Sequence, residues 1–368
     1  MNGLWQLKAL GCVSTLQRGF DLPSYNRVAG DYPIISSGGV SGYHNEAKVK
    51  GPGVVTGRYG SLGEVFFVEG DFWPLNTTLW VKDFHGNHEK FVYYLLSSQN
   101  FKKFSDKTGV PGVNRNDLHK IKVHLPSVSI QEKIVTILST WDQSIEKTER
   151  LIAAKEKQYR CLLSGLLSNN RHKRGHIRDF TIEISKRNNG VAIDRVLSVT
   201  NRNGFVLPED QFERRVASAD LSNYKIVLKG EYAYNPSRIN VGSISRLDSW
   251  DEGVLSPMYV VFEIDDKKVN SDFFLHWLSS HEAKGRIRRS AQGSVRETVS
   301  FTDLGAISFP LPSLDKQIAV ASILNITRKE IDLLRKQLEA YRKQKRGLMQ
   351  KLLTGKWRVK VYEEAISK

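Results

Sequence analysis

One stretch of this chain occurs twice, 186 residues apart: Asp117-Leu118, Ile121 and Leu125-Pro126-Ser127 return as Asp303-Leu304, Ile307 and Leu311-Pro312-Ser313. The match continues without a gap through Gln131/Gln317, Ile137/Ile323, Leu138/Leu324, Ile145/Ile331, Ala154/Ala340, Lys157/Lys343, Gln158/Gln344, Leu162/Leu348, Leu166/Leu352 and Leu167/Leu353. Self-similarity at a fixed offset constrains architecture more than any single motif, because each copy must solve the same folding problem. Upstream, Leu96-Ser97-Ser98 corresponds to Leu278-Ser279-Ser280 at an offset of 182, so the duplicated unit reaches into the preceding segments with a four-residue loop difference. A protein with two-fold pseudo-symmetry follows.

The matched stretches read as long helices. After Pro126, Ser129 and Glu132 have capping-box spacing, and up to Leu167 there is no proline and only Gly165 interrupts. A helix of about 39 residues would run about 58 Å. The second copy starts near Ser313 and Asp315 and runs to Leu353, with Gly355 placed to stop it. Steps of four and three pick out Ile134, Leu138, Trp141, Ile145, Thr148, Ile152, Lys155, Tyr159, Leu162 and Leu166. In the same register the second copy presents Val320, Leu324, Thr327, Ile331, Leu334, Leu338, Tyr341, Lys345, Leu348 and Leu352. Eight of ten are apolar or aromatic in each helix, a 3.5-residue period that predicts a coiled-coil seam rather than packing of each helix on its own globe alone. Either pairing direction is sterically open. Closure by a two-fold axis sets the helices antiparallel, with the globular domains at opposite ends of a dumbbell.

The segments before each helix share a style. Short β runs at Tyr32–Ile35, Gly53–Thr56, Glu64–Val68 and Thr78–Val81 precede a helix at 88–101; runs at Arg195–Val199, Gly230–Asn235 and Met258–Ile264 precede a helix at 271–288. The expected class is α+β. It comprises two pseudo-symmetric α/β domains at residues 1–124 and 171–310, long helices at 125–170 and 311–356 forming an antiparallel coiled coil, and a tail at 357–368.

Composition narrows the partner. The 368 residues are 40% hydrophobic and 10% aromatic, ordinary for packed cores, yet Lys and Arg outnumber Asp and Glu by 55 to 39 for a net charge of +16. That excess favours a polyanion, and nucleic acid first. Cys12 and Cys161 make no disulfide framework or zinc spacing, the first residues lack a signal-peptide pattern, and no apolar run is long enough to span a bilayer. A cytoplasmic protein with no membrane partner is expected.

Catalytic chemistry is thin. Gly51-Pro52-Gly53, Gly57, Gly60 and Gly63 form a glycine-rich stretch without a dinucleotide or P-loop pattern and read as turns. His85 and His88 flank the turn-like pair Gly86-Asn87 with no third ligand in view, so no metal site is expected. Asn235-Pro236-Ser237 is similar to the Asn-Pro-Pro-Tyr loop of adenine methyltransferases but lacks the second proline and the final aromatic. No glycine-rich turn for S-adenosylmethionine accompanies it, and no carboxylate-lysine nuclease cluster is present. No catalytic residue is therefore expected.

Basic residues cluster at matching places. Lys102, Lys103 and Lys107 precede Asn114 and Arg115 in the first copy, and Lys284, Arg286, Arg288, Arg289 and Arg296 occupy the corresponding region of the second. Two phosphate-gripping surfaces require this repetition. Arg58, Asn76, Arg238, Asn240 and Arg246 are candidates for reading base edges, because Arg pairs bidentately with guanine and Asn with adenine.

With Leu-Pro-Ser and a following glutamine opening each long helix, and Leu162-Leu163-Ser164-Gly165-Leu166-Leu167 and Leu348-Met349-Gln350-Lys351-Leu352-Leu353-Thr354-Gly355 closing them, the chain resembles the specificity (S) subunit of type I restriction-modification enzymes. Gly230-Glu231-Tyr232-Ala233-Tyr234-Asn235-Pro236-Ser237-Arg238, Val241-Gly242-Ser243-Ile244 and Ser256-Pro257-Met258-Tyr259-Val260-Val261-Phe262 look like a recurrent pattern of that family's target-recognition domains. The resemblance covers nearly the whole chain; only Trp5 and Leu10-Gly11 match the family's usual opening. It implies a non-catalytic reader of a split double-stranded DNA target, with the coiled coil fixing the gap. It also implies two modification subunits carrying S-adenosylmethionine, restriction subunits using ATP and Mg, and no cofactor on this chain. The competing readings are a stand-alone DNA-modifying enzyme and a coiled-coil scaffold whose charge is incidental.

Overall fold

The computed structural model describes residues 5–105, 112–167, 173–190, 192–201, 203–210, 220–292 and 298–359. It divides into two compact units, Met1–Glu149 with Lys336–Lys368, and Arg150–Arg335. Each unit holds one globe, one end of each long helix, and its own core.

In the first unit the chain order is β1 (Trp5–Ala9), β2 (Thr15–Arg18), β3 (Tyr32–Ser36), β4 (Gly39–His44), β5 (Gly53–Gly57), β6 (Val65–Val68), β7 (Trp73–Pro74), β8 (Thr78–Asp83), α1 (Glu89–Ser97), α2 (Arg115–His119), β9 (Lys122–Pro126) and α3 (Val128–Leu167). The second globe supplies β10 (Arg174–His176), β11 (Thr181–Ile184), β12 (Ser198–Thr200), β13 (Gly204–Val206), β14 (Lys225–Leu228), β15 (Tyr232–Tyr234), β16 (Ile244–Arg246), β17 (Glu252–Leu255), β18 (Val260–Ile264), α4 (Ser271–Ser279), α5 (His281–Gln292), α6 (Phe301–Gly305), β19 (Ser308–Pro310) and α7 (Leu314–Leu352).

The same framework is built twice. A four-stranded antiparallel sheet has the order β2-β8-β5-β6 in one unit and β11-β18-β15-β16 in the other. A two-stranded ribbon leads into each long helix, β1 on β9 and β10 on β19. The Leu10 amide donates to the Ile121 carbonyl at 2.8 Å, and the Ile177 amide to the Ile307 carbonyl at 3.1 Å, so the repeat's isoleucines hold equivalent backbone bonds. Around this frame the globes differ. The first adds the sheet β4-β3-β7, and the second adds the ribbons β12-β13 and β14-β17.

Both cores take in long-helix residues. In the first unit Ile130, Ile134, Val135 and Leu138 from the start of α3 and Leu352 and Leu353 at the end of α7 join Phe91, Leu95, Leu118 and Val123. In the second, Leu163 and Leu167 from the end of α3 and Ala321 and Leu324 from α7 join Phe273, Trp277, Leu304 and Phe309. Gly355, at φ +70°, closes α7 in the left-handed conformation that favours glycine, and an added Cβ would stand 3.2 Å from the Trp5 ring, a tight contact.

Three local expectations are corrected. α3 opens at Val128, ahead of Ser129, with the Ile130 and Gln131 amides donating to the Ser127 carbonyl. The helix expected over 88–101 ends at Ser97 and gives way to a 3-10 turn at Phe101–Phe104. The helix expected over 271–288 is two helices, because Ser280 adopts an extended backbone and its hydroxyl accepts the Ala283 amide at 3.1 Å, capping a fresh start.

Candidate nucleic-acid interface

A buried glutamine fixes each globe to its helix. Gln131 Nε2 donates to the Pro126 carbonyl at 3.0 Å while its Oε1 accepts the amide of His88, which caps α1, at 3.0 Å. Gln317 repeats the arrangement with the Pro312 carbonyl at 2.9 Å and the amide of Asn270, the cap of α4, at 2.8 Å. Each clamp thereby orients the helix that backs its sheet.

A second pair of equivalent bonds places the loops that leave the third strand of each sheet. The Val113 amide donates to the Arg58 carbonyl at 3.0 Å, just past β5, and the Val299 amide donates to the Pro236 carbonyl at 3.1 Å, just past β15. Beside each bond lies a cleft. The first, about 540 Å³, is lined by Arg18, Arg58, Tyr59, Asn114, Arg115 and Asp117 among others. The second, about 550 Å³, is lined by Asn201, Asn235, Ser237, Arg238, Val241, Met258 and Tyr259 with Ser198, Thr200 and Ser243.

The first cleft gathers three of the predicted residues. The Arg58 guanidinium lies 4.6 Å over the Tyr59 ring. Asn114 caps α2 by accepting the Asn116 amide at 3.0 Å, which sets the exposed Arg115 at the helix's first position. Lys102 and Lys103 are exposed on the 3-10 turn whose Phe104 also lines this cleft. Arg18, which no motif announced, completes the set; it reaches Asp21 only at 3.6 Å and is 53% exposed. Asn76 is engaged, its amide donating to Asp21.

In the second cleft Arg238 is exposed at the cap of a 3-10 turn at Ile239–Val241, while Asn240 in that turn is half-buried and does not line the cleft. Asn235 Oδ1 accepts the Ser237 amide at 3.0 Å, so its carboxamide braces a turn. Among the described residues no carboxylate pairs with Arg58, Arg115 or Arg238.

Arg246 is already engaged. Its guanidinium meets Asp248 and Asp272, each at 2.7 Å, donates to Ser271 at 2.9 Å, and is 16% exposed. Burial works against the charge, but the two carboxylates outweigh it and hold its pKa above the usual arginine value. A base edge would have to displace both carboxylates.

The basic helix α5 buries Ala283, Ile287 and Ala291 and exposes Lys284, Arg288 and Arg289, while Arg286 bonds to Glu282 at 2.9 Å. Lys107 and Arg296 lie outside the described residues. Among the described residues no cluster of His, Cys, Asp or Glu could hold a metal, and no helix is long and apolar enough to cross a membrane.

Residues 2–156 match the family model of the type I restriction modification DNA specificity domain. The chain is 26% identical over 302 residues to the MjaVIII type I restriction enzyme specificity subunit of Methanocaldococcus jannaschii, covering 73% of this chain and 70% of that protein. It is 26% identical over 141 residues to the EcoprrI specificity subunit of Escherichia coli, covering 37% and 35%. The S subunit of a type I restriction-modification system from M. genitalium shares the fold at TM-score 0.66 and 17% identity, covering 96% of this chain and 97% of that one. A chain from a type I restriction-modification assembly does so at TM-score 0.57 and 13% identity, covering 97% and 99%. The first globe and much of α3 thus match the specificity-domain model, and the chain is similar over most of its length to type I specificity subunits and shares their fold.

The long helices pair antiparallel within each unit. In the first, Trp141 meets Tyr341 edge-on at 5.6 Å between ring centres and Glu149 bonds Arg342 at 2.7 Å; in the second, Lys155 bonds Glu330 at 2.9 Å and Glu156 bonds Arg335 at 2.6 Å. Of the seam positions, Ile134, Leu138, Ile152, Leu324, Ile331, Leu338 and Leu352 are buried. Trp141, Ile145, Tyr159, Leu162, Leu166, Val320, Leu334, Tyr341 and Leu348 are half-buried.

Each seam meets its globe at a polar junction that the sequence reading missed. In the first unit Tyr94 donates to Asp142 at 2.5 Å, and Asp142 pairs with Lys345, whose ammonium lies 5.3 Å over the Tyr94 ring. In the second, His276 bonds Tyr159 at 2.9 Å and Asn325 at 2.8 Å, with Arg328 bonding Tyr159. Asp142 and Arg328, like Tyr159 and Lys345, stand 186 apart, and Tyr94 and His276 stand 182 apart, so the same positions carry different chemistry. The offset was the signal available; the mismatch in residue type concealed it.

Proposed function

We propose that this chain is a type I specificity subunit that recognises a split DNA target, residues 1–124 and 171–310 each reading one half, while the helices at 125–170 and 311–356 set the gap and dock modification subunits. The observation that supports this most is the pair of clefts beside equivalent backbone bonds, Val113 to Arg58 and Val299 to Pro236. A shared scaffold with unlike side chains is what two readers of unlike half-sites require. Arg18, Arg58 and Arg115 in one cleft and Arg238 in the other supply base or phosphate contacts. Lys102, Lys103, Lys284, Arg288 and Arg289 neutralise flanking phosphates.

Methyl transfer belongs, on this reading, to two partner modification subunits carrying S-adenosylmethionine, and translocation and cleavage to restriction subunits using ATP and Mg. The chain contributes position and selection, in the cytoplasm where its DNA lies. Two half-sites on a duplex of about 10–10.5 base pairs per turn must face compatible sides, which a helix pair of fixed length can enforce. The test is to co-express the chain with the modification subunit of its own system and sequence the host DNA for methylated bases. One split motif with a fixed gap is expected; methylation at an unsplit site, or none despite a stable complex, would overturn the reading.

A further inference from the structure

We infer that the two half-sites differ in base chemistry: the first cleft reads a guanine through Arg58, and the second reads an A·T pair through Asn235 and Met258. This rests on the split-target reading above. The two clefts sit beside equivalent strands and equivalent backbone bonds, so position is held constant and the difference lies in the side chains.

The first cleft is built for acceptors. The Arg58 guanidinium lies over the Tyr59 ring, and Arg18 and Arg115 share the lining. Its carboxylate, Asp117, bonds Lys120 at 3.0 Å. In the major groove guanine alone offers two acceptors side by side, O6 and N7, and a planar fork of N–H donors fits them.

Among the described residues the second cleft is lined by no carboxylate and by one cation, Arg238. Two large apolar side chains on its lining are left open to solvent, Met258 at 63% and Val241 at 62%. Asn235 Nδ2 lies 3.8 Å from the Met258 sulfur, so an amide and an apolar tip stand together. The Ser237 amide on Oδ1 settles which end of that carboxamide donates. An A·T pair presents the matching set in the major groove: the N7 acceptor of adenine for the Asn235 Nδ2 donor, and the thymine methyl for an apolar side chain. Guanine and cytosine have no such methyl.

The experiment compares methylation motifs of the full chain in complex with its modification subunit, for wild type and for Arg58→Gln, Arg58→Lys and Met258→Ser. All three variants alter cleft-lining side chains outside the buried cores, and Arg58→Lys keeps the charge while losing the planar fork. Both Arg58 variants are expected to relax one G·C position in one half-site, by about tenfold or more in methylation relative to the other positions, and Met258→Ser one A·T position in the other half-site. The inference is overturned if Arg58→Gln leaves both half-sites intact or relaxes an A·T position, if Arg58→Lys keeps full discrimination, or if Met258→Ser relaxes a G·C pair. In each of those cases the wild-type motif is still split; a wild-type motif that is not split overturns the underlying reading instead.

Discussion

Gln131 and Gln317 are 1% and 0% exposed, and each satisfies backbone groups from two elements at once. Replacing either by alanine strands a buried amide and a buried carbonyl. At about 1–3 kcal/mol for a stranded group, offset where water enters, each variant should lose about 2–3 kcal/mol in chemical denaturation, against about nothing for Gln350→Ala on the exposed face of α7. A second residue-scale prediction concerns His276, whose burial lowers its pKa while Asn325 and Asp272 favour its charge and Arg328 and Arg246 oppose it. The folded chain then binds this proton more weakly than the unfolded chain. Stability present above the unfolded histidine value of about 6.5 is lost as pH falls through it. His119, lowered by burial and Arg115, acts in the same direction. Wild type should therefore melt lower at about pH 5.5 than at about pH 7.5, and His276→Gln should narrow that difference; equal narrowing by a surface histidine variant such as His281→Gln would refute the assignment. The glutamines were visible as matched letters in the repeat, but their partners lie 43 and 47 residues upstream, a separation no local pattern encodes.

Among elements, the seam was legible because a 3.5-residue period is written into the spacing of apolar side chains, and Leu138, Ile152, Ile331 and Leu338 are buried at those positions. The polar junctions were not legible, since Lys345 and Tyr159 read as interruptions of a stripe until their partners from α1 and α4 are known. Helix ends were misjudged where a serine competes with the helix for the backbone, as Ser280 does between α4 and α5. The cost of breaking a junction follows from its exposure. Asp142 is 36% exposed and Lys345 16%, so Lys345→Met should destabilise by about 1–3 kcal/mol, less than a fully buried pair would lose. Adding Asp142→Asn should recover part of that loss, because the stranded charge is removed; a purely additive double variant in denaturant unfolding would argue against coupling.

For the whole molecule, the repeat conveyed the doubled frame, and the resemblance pointed to the fold that type I specificity subunits share. The two globes' private strands, β3-β4-β7 in one and β12-β13 and β14-β17 in the other, were only sketched, because short strands at sheet edges carry weak alternation. Their divergence on a constant frame has a consequence: exchanging residues 171–310 for the matching domain of another specificity subunit should change one half of the methylated motif and leave the other untouched. On the proposed function, helix length sets the gap between half-sites. That dependence is tested most directly by removing one heptad from the middle of both α3 and α7, which keeps the seam in register and shortens each helix by about 10 Å, and then sequencing methylated bases in cells that carry the shortened chain with its modification subunit. The predicted result is the same two half-sites with a gap shorter by about three base pairs, or loss of methylation if the new phase is incompatible with the duplex; the native motif with its gap unchanged would contradict it.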